Sequence, residues 1–245
     1  MYKWGLDSSY GLTGMAEGEF AVQDLTWEIV NKMNLGVELG FLNGMIDLQL
    51  DYFDERRKDI FMPRESVPMT AGFMKQPWKN FGKVTNQGVE VSLNVNKQFG
   101  KDLFVSLMGT FTYAHNEITE KDEPSAVVGT NRAETGHPVG QLTGYIAEGL
   151  FTADDFEDVS TGKLKEGIPT QSFVGKLRPG DIRYRDVNGD GKVDVFDKSP
   201  IGGTKDPEIV YGFGLNMKYK NLDFGALFQG IGRSWNILGS SIIPG

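Results

Sequence analysis

Between Ile209 and Lys220 the chain reads IVYGFGLNMKYK, with an apolar residue at every second place. Ile209, Tyr211, Phe213, Leu215, Met217 and Tyr219 fall on one side, and Val210, Gly212, Gly214, Asn216, Lys218 and Lys220 on the other. A helix would repeat its apolar positions every three or four residues, so a period of two predicts a strand with one apolar face. The pattern resumes after Lys220-Asn221 with Leu222, Phe224, Ala226 and Phe228. A two-residue turn there sets Tyr219 opposite Leu222 and brings both apolar faces to the same side.

Two more hairpins follow the same plan. In the first, Trp27, Ile29, Met33, Leu35, Val37, Leu39 and Phe41 alternate with polar residues and glycine, with one break at Val30-Asn31. Asn43-Gly44, both tolerant of positive φ, predicts a two-residue turn that puts Phe41 opposite Ile46, followed by Leu48, Leu50 and Tyr52. In the second, Val89, Val91, Leu93, Val95 and Phe99 face Leu103, Val105, Leu107, Phe111 and Tyr113 across Gly100-Lys101-Asp102.

The connections are unequal. Every hairpin closes in two or three residues at one end, while the other end opens into long stretches at about 61–80 and 116–206. Short turns on one side and long loops on the other mark a transmembrane barrel, with periplasmic turns and extracellular loops. Phe41, Phe99 and Tyr219 beside the short turns fit an interfacial aromatic girdle. The reading is therefore all-β, an antiparallel transmembrane β-barrel segment, partial and open, spanning residues 1–245 with about six membrane strands. A soluble β-sandwich alternates in the same way and stands as the alternative.

Composition narrows the function classes. Thirty-two glycines against 10 prolines, with 11% aromatics, suit strands and turns. A net charge of −8 with no basic stripe excludes nucleic acid as the expected partner. The lack of cysteine removes disulfides, thiol catalysis and cysteine-ligated zinc. His115 and His137 lie in polar surroundings and read as surface residues. No run reaches the ~18 apolar residues of a membrane helix, and MYKWGLDSSYGLTG is not a signal peptide; neither fact excludes a barrel. No pair of carboxylates stands apart from surface acids, so no catalytic residue and no enzyme is expected.

Residues 116–206 form the expected extracellular insert, too long for a plain connection. TEKDEPS and TADDFEDVSTGKLKEG within it read as polar surface, and Val139 to Phe151 as a short strand. Near its end lies DVNGDGKVDVFD, residues 186–197, with calcium-loop spacing. Asp186, Asn188 and Asp190 occupy positions one, three and five, Lys192 offers its carbonyl at seven, Asp194 stands at nine and Asp197 at twelve. Ca²⁺ in an extracellular loop is the expectation; an Asx-rich turn without metal uses the same residues. Asp197 replaces the longer glutamate of an EF-hand, and no helix flanks the loop.

The segment PGDIRYRDVNGDGKVDVFDKSPIGGTKDPEIVYGFGLNMKYKNLDFGALFQG resembles the late-barrel region of the SusC/RagA family of TonB-dependent outer-membrane transporters. The matching motifs are Asn188 to Gly191, Ile201-Gly202, Pro207 through Phe213, Tyr219-Lys220-Asn221 and Phe228-Gln229-Gly230. Upstream, LTWE, DYFDERRKDIF, NFGKVTNQGVEVSLN and GHPVGQLTGYIAEGLF follow the family order. The resemblance implies a plugged barrel of about 22 strands in the outer membrane of a Gram-negative cell. On that basis this chain is a fragment, with signal peptide, plug and the remaining strands outside it. It also implies import of oligosaccharides or peptides, driven by the TonB complex through the plug, with a SusD-like lipoprotein over the loops. Outer-membrane lipid would meet the apolar face. Trp78, Tyr145 and Trp235 are candidates for stacking on substrate sugars, with girdle or loop packing as the other role for such rings. The alternative function, attached to the sandwich fold, is a secreted calcium-dependent module for adhesion or carbohydrate binding.

Overall fold

Six long strands carry the alternation. The computed structural model describes residues 22, 24–71 and 75–238. Strand β1 (Ile29–Phe41) turns into β2 (Ile46–Pro63), and β3 (Trp78–Phe99) into β4 (Leu103–Glu120). Eight short pieces follow: β5 (Thr143–Gly144), β6 (Ala147–Leu150), β7 (Phe156–Asp158), β8 (Lys163–Leu164), β9 (Thr170–Gln171), β10 (Ile182–Tyr184), β11 (Lys192–Val193) and β12 (Ser199–Pro200). The chain then returns as β13 (Ile209–Tyr219) and β14 (Leu222–Gly232). The long strands make one antiparallel sheet in the order β1-β2-β3-β4-β13-β14.

One register runs across this sheet. Val37 pairs with Leu50, Leu50 with Val91, Val91 with Phe111 and Phe111 with Tyr211. The next row is Leu39, Leu48, Leu93, Gly109, Phe213 and Phe228, with the last two rings stacked 4.9 Å apart. The opposite face carries rows such as Glu38, Gln49, Ser92, Thr110, Gly212 and Gln229. The turns fix this alignment, since Phe41 meets Ile46, Phe99 meets Leu103 and Tyr219 meets Leu222. At the first turn Leu42 joins Asn43 and Gly44 at positive φ, so the bend uses one more left-handed residue than a two-residue turn.

No second layer covers the apolar face among the described residues. Leu35 is 65% exposed and Phe213 52%, whereas Phe151 in the long insert is 2% exposed. Val37, Leu39, Val91, Tyr211, Phe213 and Leu215, which a sandwich would enclose, are all exposed or half-buried. The sandwich alternative is thereby replaced by a partial barrel wall. Burying such side chains is worth about 1.5–3 kcal/mol each, so this face belongs in hydrocarbon rather than water. At about 3.3 Å per residue, the run from Val89 to Phe99 is roughly 33 Å long, and a tilt of about 40° makes it roughly 25 Å tall. That is the height of a barrel's lipid-facing band. Tyr52 and Tyr113 rim its upper edge, and Phe41, Phe99 and Tyr219 its lower edge.

The strands outrun the band. Pairing of β2 with β3 continues to Pro63 and Trp78, past an irregularity around Asp59, whose φ is +58°. The outward face turns polar there: Arg56 and Gln87 both donate to the Asp54 carboxylate at 3.0 Å. The connection is therefore shorter than 61–80, because backbone pairing does not need apolar side chains to continue. Likewise β4 runs on to Glu120, and Val139 to Phe151 divides into β5 and β6 rather than one strand.

The buried apolar cluster lies in the insert. Phe151, Phe156, Leu164 and Leu177 pack together, flanked by Ile168 and Val174. Two of these come from the stretch that reads as polar surface, where single apolar residues among acids and lysines carry no periodic signal.

Two outcomes test this architecture. Leu215→Arg, in the middle of the band, is expected to destabilise the protein in bilayers by about 2–4 kcal/mol, and its neighbour Asn216→Arg on the other face by far less; urea unfolding in vesicles measures both, and equal losses contradict the assignment of faces. The 245-residue chain on its own, with β1 and β14 as open edges, is expected to associate in plain buffer and disperse in detergent. Size-exclusion chromatography reads this, and a monodisperse monomer without detergent contradicts it.

Candidate functional site at the long-loop end

The upper end of β4 holds the insert in place. The Ile118 N–H donates to the His137 carbonyl at 2.9 Å, and the Gly136 N–H to the Ile118 carbonyl at 2.8 Å. The Asn116 side-chain oxygen accepts from the Val139 N–H at 2.8 Å. Residues 136–139 thus continue the sheet where β13 has not yet begun.

Three successive charged residues then tie the loops together. TEKDEPS reads as solvated surface, yet Asp122 and Glu123 are buried. Asp122 accepts from the Arg64 guanidinium at 2.6 Å and from the Ser66 hydroxyl at 2.9 Å. Glu123 accepts from the Glu134 N–H at 2.5 Å and from the Thr135 hydroxyl at 2.8 Å. Lys121 reaches Glu134 at 2.8 Å and Glu65 at 3.4 Å. Burial alone would raise the Asp122 pKa, but the hydrogen bonds from Arg64 and Ser66 outweigh it and hold the carboxyl below its ordinary value. Burial opposes the charge on Lys121 too, and Glu134 and Glu65 more than offset it, raising its pKa. The partners lie up to 58 residues apart, so no local pattern announces them.

Beneath this tie, a cavity of about 600 Å³ opens between the polar face of the wall and the insert. Glu55, Arg57, Asn86, Asn116, Lys121 and Glu134 are among its lining residues. Both signs of charge and two amides make it a place where a polar solute can be held.

The 186–197 loop is organised by its own acids. Asp186 accepts from the N–H groups of Gly189 at 2.7 Å and Gly191 at 2.8 Å. Asn188 accepts from Asp190 at 2.9 Å, and Asp190 from Lys192 at 3.0 Å. Gly189 and Gly191 take φ of +75° and +87°, which lets these alternating turns close. Asp197 is fully buried and accepts from Val187 at 2.8 Å and Asp194 at 2.7 Å, joining the two ends of the loop. The Lys192 ammonium, 2.8 Å away, and the Phe196 N–H hold the Asp194 carboxyl below its usual range. Among the described residues, no three or more His, Cys, Asp or Glu side chains converge as a metal cage.

The three aromatic candidates have separate neighbours. Trp78 opens β3 and lies 5.1 Å from the Phe61 ring. Tyr145, between β5 and β6, stacks on Phe173 at 4.5 Å and lies 5.6 Å from Tyr184. Burial, with Asp194 and Asp197 nearby, raises the Tyr145 pKa. Trp235 lies over Gly202 and Gly203, where any side chain would collide with its ring. The structure does not bring the three together. Phe173 and Tyr184 join Tyr145 only through folding; nothing in their sequence neighbourhoods marks them as a group.

Removing the Asp122 charge is expected to loosen both loops. Asp122→Asn is expected to cost about 1–3 kcal/mol, below the figure for a fully buried pair because Arg64 keeps some contact with water. Because the folded pKa is depressed, the tie is complete above the ordinary aspartate value and is lost as pH falls through the lowered one. Limited proteolysis measures this: the variant is expected to be cut faster than the parent in 64–71 and 121–135 at pH 7, with the difference vanishing in strong acid. Equal cutting at pH 7 removes the tie from the account.

Comparison with known proteins places the architecture. The family described as "TonB dependent receptor-like, beta-barrel" matches residues 4–230. TonB-dependent receptor P3 of Formosa agariphila is 25% identical over 229 residues, covering 89% of this chain and 22% of that protein. TonB-dependent receptor SusC of Bacteroides thetaiotaomicron is 29% identical over 218 residues, covering 82% of this chain and 19% of that protein. The chain thus spans about a fifth of the length of these curated relatives. Two solved structures of the RagAB peptide importer, in its closed-closed and open-open states, share the fold with TM-scores of 0.63 and 0.64. Each is 21% identical and covers 96% of this chain, which corresponds to 24% and 23% of the solved chains. With its single-register wall, one-sided apolar band and match over residues 4–230, the chain belongs to the β-barrel family of TonB-dependent receptors.

Proposed function

We propose that this chain forms part of the wall and mouth of an outer-membrane importer in a Gram-negative cell. The observation that carries the reading is the exposed apolar face of a six-stranded sheet whose other face is polar. In this reading outer-membrane lipid covers the first face and the transport lumen lies along the second. The insert faces the outside of the cell, above the long-loop end. The cargo is an oligosaccharide or a peptide, and the TonB complex supplies the pull through a plug outside these residues. A SusD-like lipoprotein closes over the insert. Similarity to a protein named SusC and to structures of a peptide importer supports this reading.

Trp78, Tyr145 and Trp235 enter the proposal as ring surfaces at the mouth. Trp78 is 47% exposed and Trp235 39%, and Tyr145 belongs to a cluster whose Phe173 is 46% exposed. Ca²⁺ at Asp186, Asn188, Asp190, Lys192, Asp194 and Asp197 enters in the same way. Ligand spacing and the left-handed glycines support it, while the N–H groups already on these carboxylates define the metal-free competitor.

Two measurements bear on these proposals. An epitope inserted between Ser160 and Thr161, on an exposed turn, is expected to be labelled on intact cells, with the protein recovered in the outer-membrane fraction; a soluble, unlabelled protein overturns the import reading. Calorimetric titration with Ca²⁺ is expected to show binding that Asp186→Asn weakens by at least ~10-fold. No heat at millimolar calcium leaves the loop as an Asx-rich clamp.

A further inference from the structure

A second cavity, of about 340 Å³, lies within the insert. Its lining includes Arg132, His137, Gln141, Thr143 and Lys198. This is at the small end of the ~300–1,000 Å³ range of ligand pockets. Two cations on one small cavity run against the charge of the chain, which is −8.

Neither cation is neutralised. Elsewhere in the insert Lys163, Arg185 and Lys192 each hold a carboxylate. Among the described residues, Arg132 and Lys198 have none within ion-pair distance. The acids nearby are engaged elsewhere: Glu134 lines the cavity but pairs with Lys121, Asp194 feels Arg132 but pairs with Lys192, and buried Asp197 accepts from the Val187 and Asp194 N–H groups. What holds the cations is aromatic. The Arg132 guanidinium lies 4.9 Å over the Phe196 ring, and the Lys198 ammonium 5.7 Å over Tyr145. A ring face steadies a cation without cancelling its charge.

The cavity is also set in advance. The Asn131 amide donates to the carbonyls of Phe196 at 3.0 Å and Lys198 at 2.8 Å, fastening the segment that bears one cation to the segment that bears the other. β12 pairs with β5 on the adjoining wall, and the Gln141 amide donates to the Leu142 carbonyl at 2.9 Å. Buried Asp197 anchors the same segment from within. Little conformational freedom is left to lose on binding.

We infer that this cavity is a subsite for a carboxylate-bearing unit of the imported ligand, either a uronate sugar or an acidic amino-acid residue. Arg132 presents a planar fork of donors to the carboxylate and Lys198 a point charge. The Thr143 hydroxyl and a His137 ring N–H stand on the same lining as further donors, while the Gln141 amide is spent on the Leu142 and Ile201 carbonyls and serves to fix the wall. The inference rests on the import reading and adds a ligand chemistry to it.

The test uses the full-length protein in detergent and calorimetric titration at low salt. The probes are trigalacturonate against maltotriose, and tetraglutamate against tetraglutamine. One acidic probe is expected to bind at least ~10-fold tighter than its neutral counterpart, and which one does so identifies the ligand class. Arg132→Gln and Lys198→Gln are each expected to lose at least ~10-fold of that binding, and Arg132→Lys to lose less than Arg132→Gln, since it keeps the charge but not the planar fork. The thermal transition of each variant controls for folding. If neither acidic probe exceeds its neutral counterpart, the subsite is wrong. It is equally wrong if the folded double variant binds the acidic probe as the parent does. Recovery of the protein outside the outer membrane sinks the import reading by a separate route and leaves this titration result standing.

Discussion

In hydrocarbon there is no water to satisfy a backbone N–H or carbonyl, so a chain that crosses with strands must pair each one to its neighbour. That constraint governs this protein. It forces a continuous ladder, and a ladder with side chains of period two permits only one assignment of faces. The rows from Val37 to Tyr211 and from Leu39 to Phe228 keep that assignment across all six strands. A slip of one residue in β2 would turn Asp47 and Asp51 to the apolar side, and one in β3 would turn Glu90 there, with their leucines moving to the polar side. The turns carry this burden because they set where each pair begins.

The insert obeys a different rule. Its apolar side chains turn inward on one another, around Phe151, Phe156, Leu164 and Leu177. Its paired strands are only two to four residues long, so the sheet contributes little stability. Carboxylates make up the difference by accepting backbone N–H groups. Asp186 and Asp197 hold the 186–197 loop in this way, and Glu123 does so for the turn at 134–135. Asp155 caps its own turn by accepting from the Thr152 N–H at 2.6 Å, which holds its carboxyl below the ordinary value. Much of the negative charge in the insert is therefore structural. Against that background, two cations resting on aromatic rings are free for another charge.

The two regimes meet at the top of the wall. There the strands have left the apolar band yet continue to pair, and polar groups appear on both faces. Arg56 and Gln87 both donate to Asp54 on the outer side, while Glu55, Arg57 and Asn86 line the 600 Å³ cavity on the inner side. Lys121 and Asp122 join the two loop systems at this level, through Glu65, Glu134 and Arg64.

What the sequence determined by itself was the wall. Alternation exposed six strands, the turn residues gave their register, and the unequal connections gave the polarity of the sheet, because each of these signals lies within a few residues along the chain. The family resemblance was carried by motifs of the same short range. The upper limits of β2, β3 and β4 were not legible, since alternation ends where the membrane ends while backbone pairing does not. Nor were the buried acids at 122 and 123, the ring cluster of Tyr145, Phe173 and Tyr184, or the convergence of Arg132 with Lys198. These depend on contacts between segments up to dozens of residues apart, and a charge or a ring looks the same in sequence whether it faces water or a partner. Only the tertiary structure decides that, because it alone fixes which distant groups arrive within hydrogen-bond or van der Waals range.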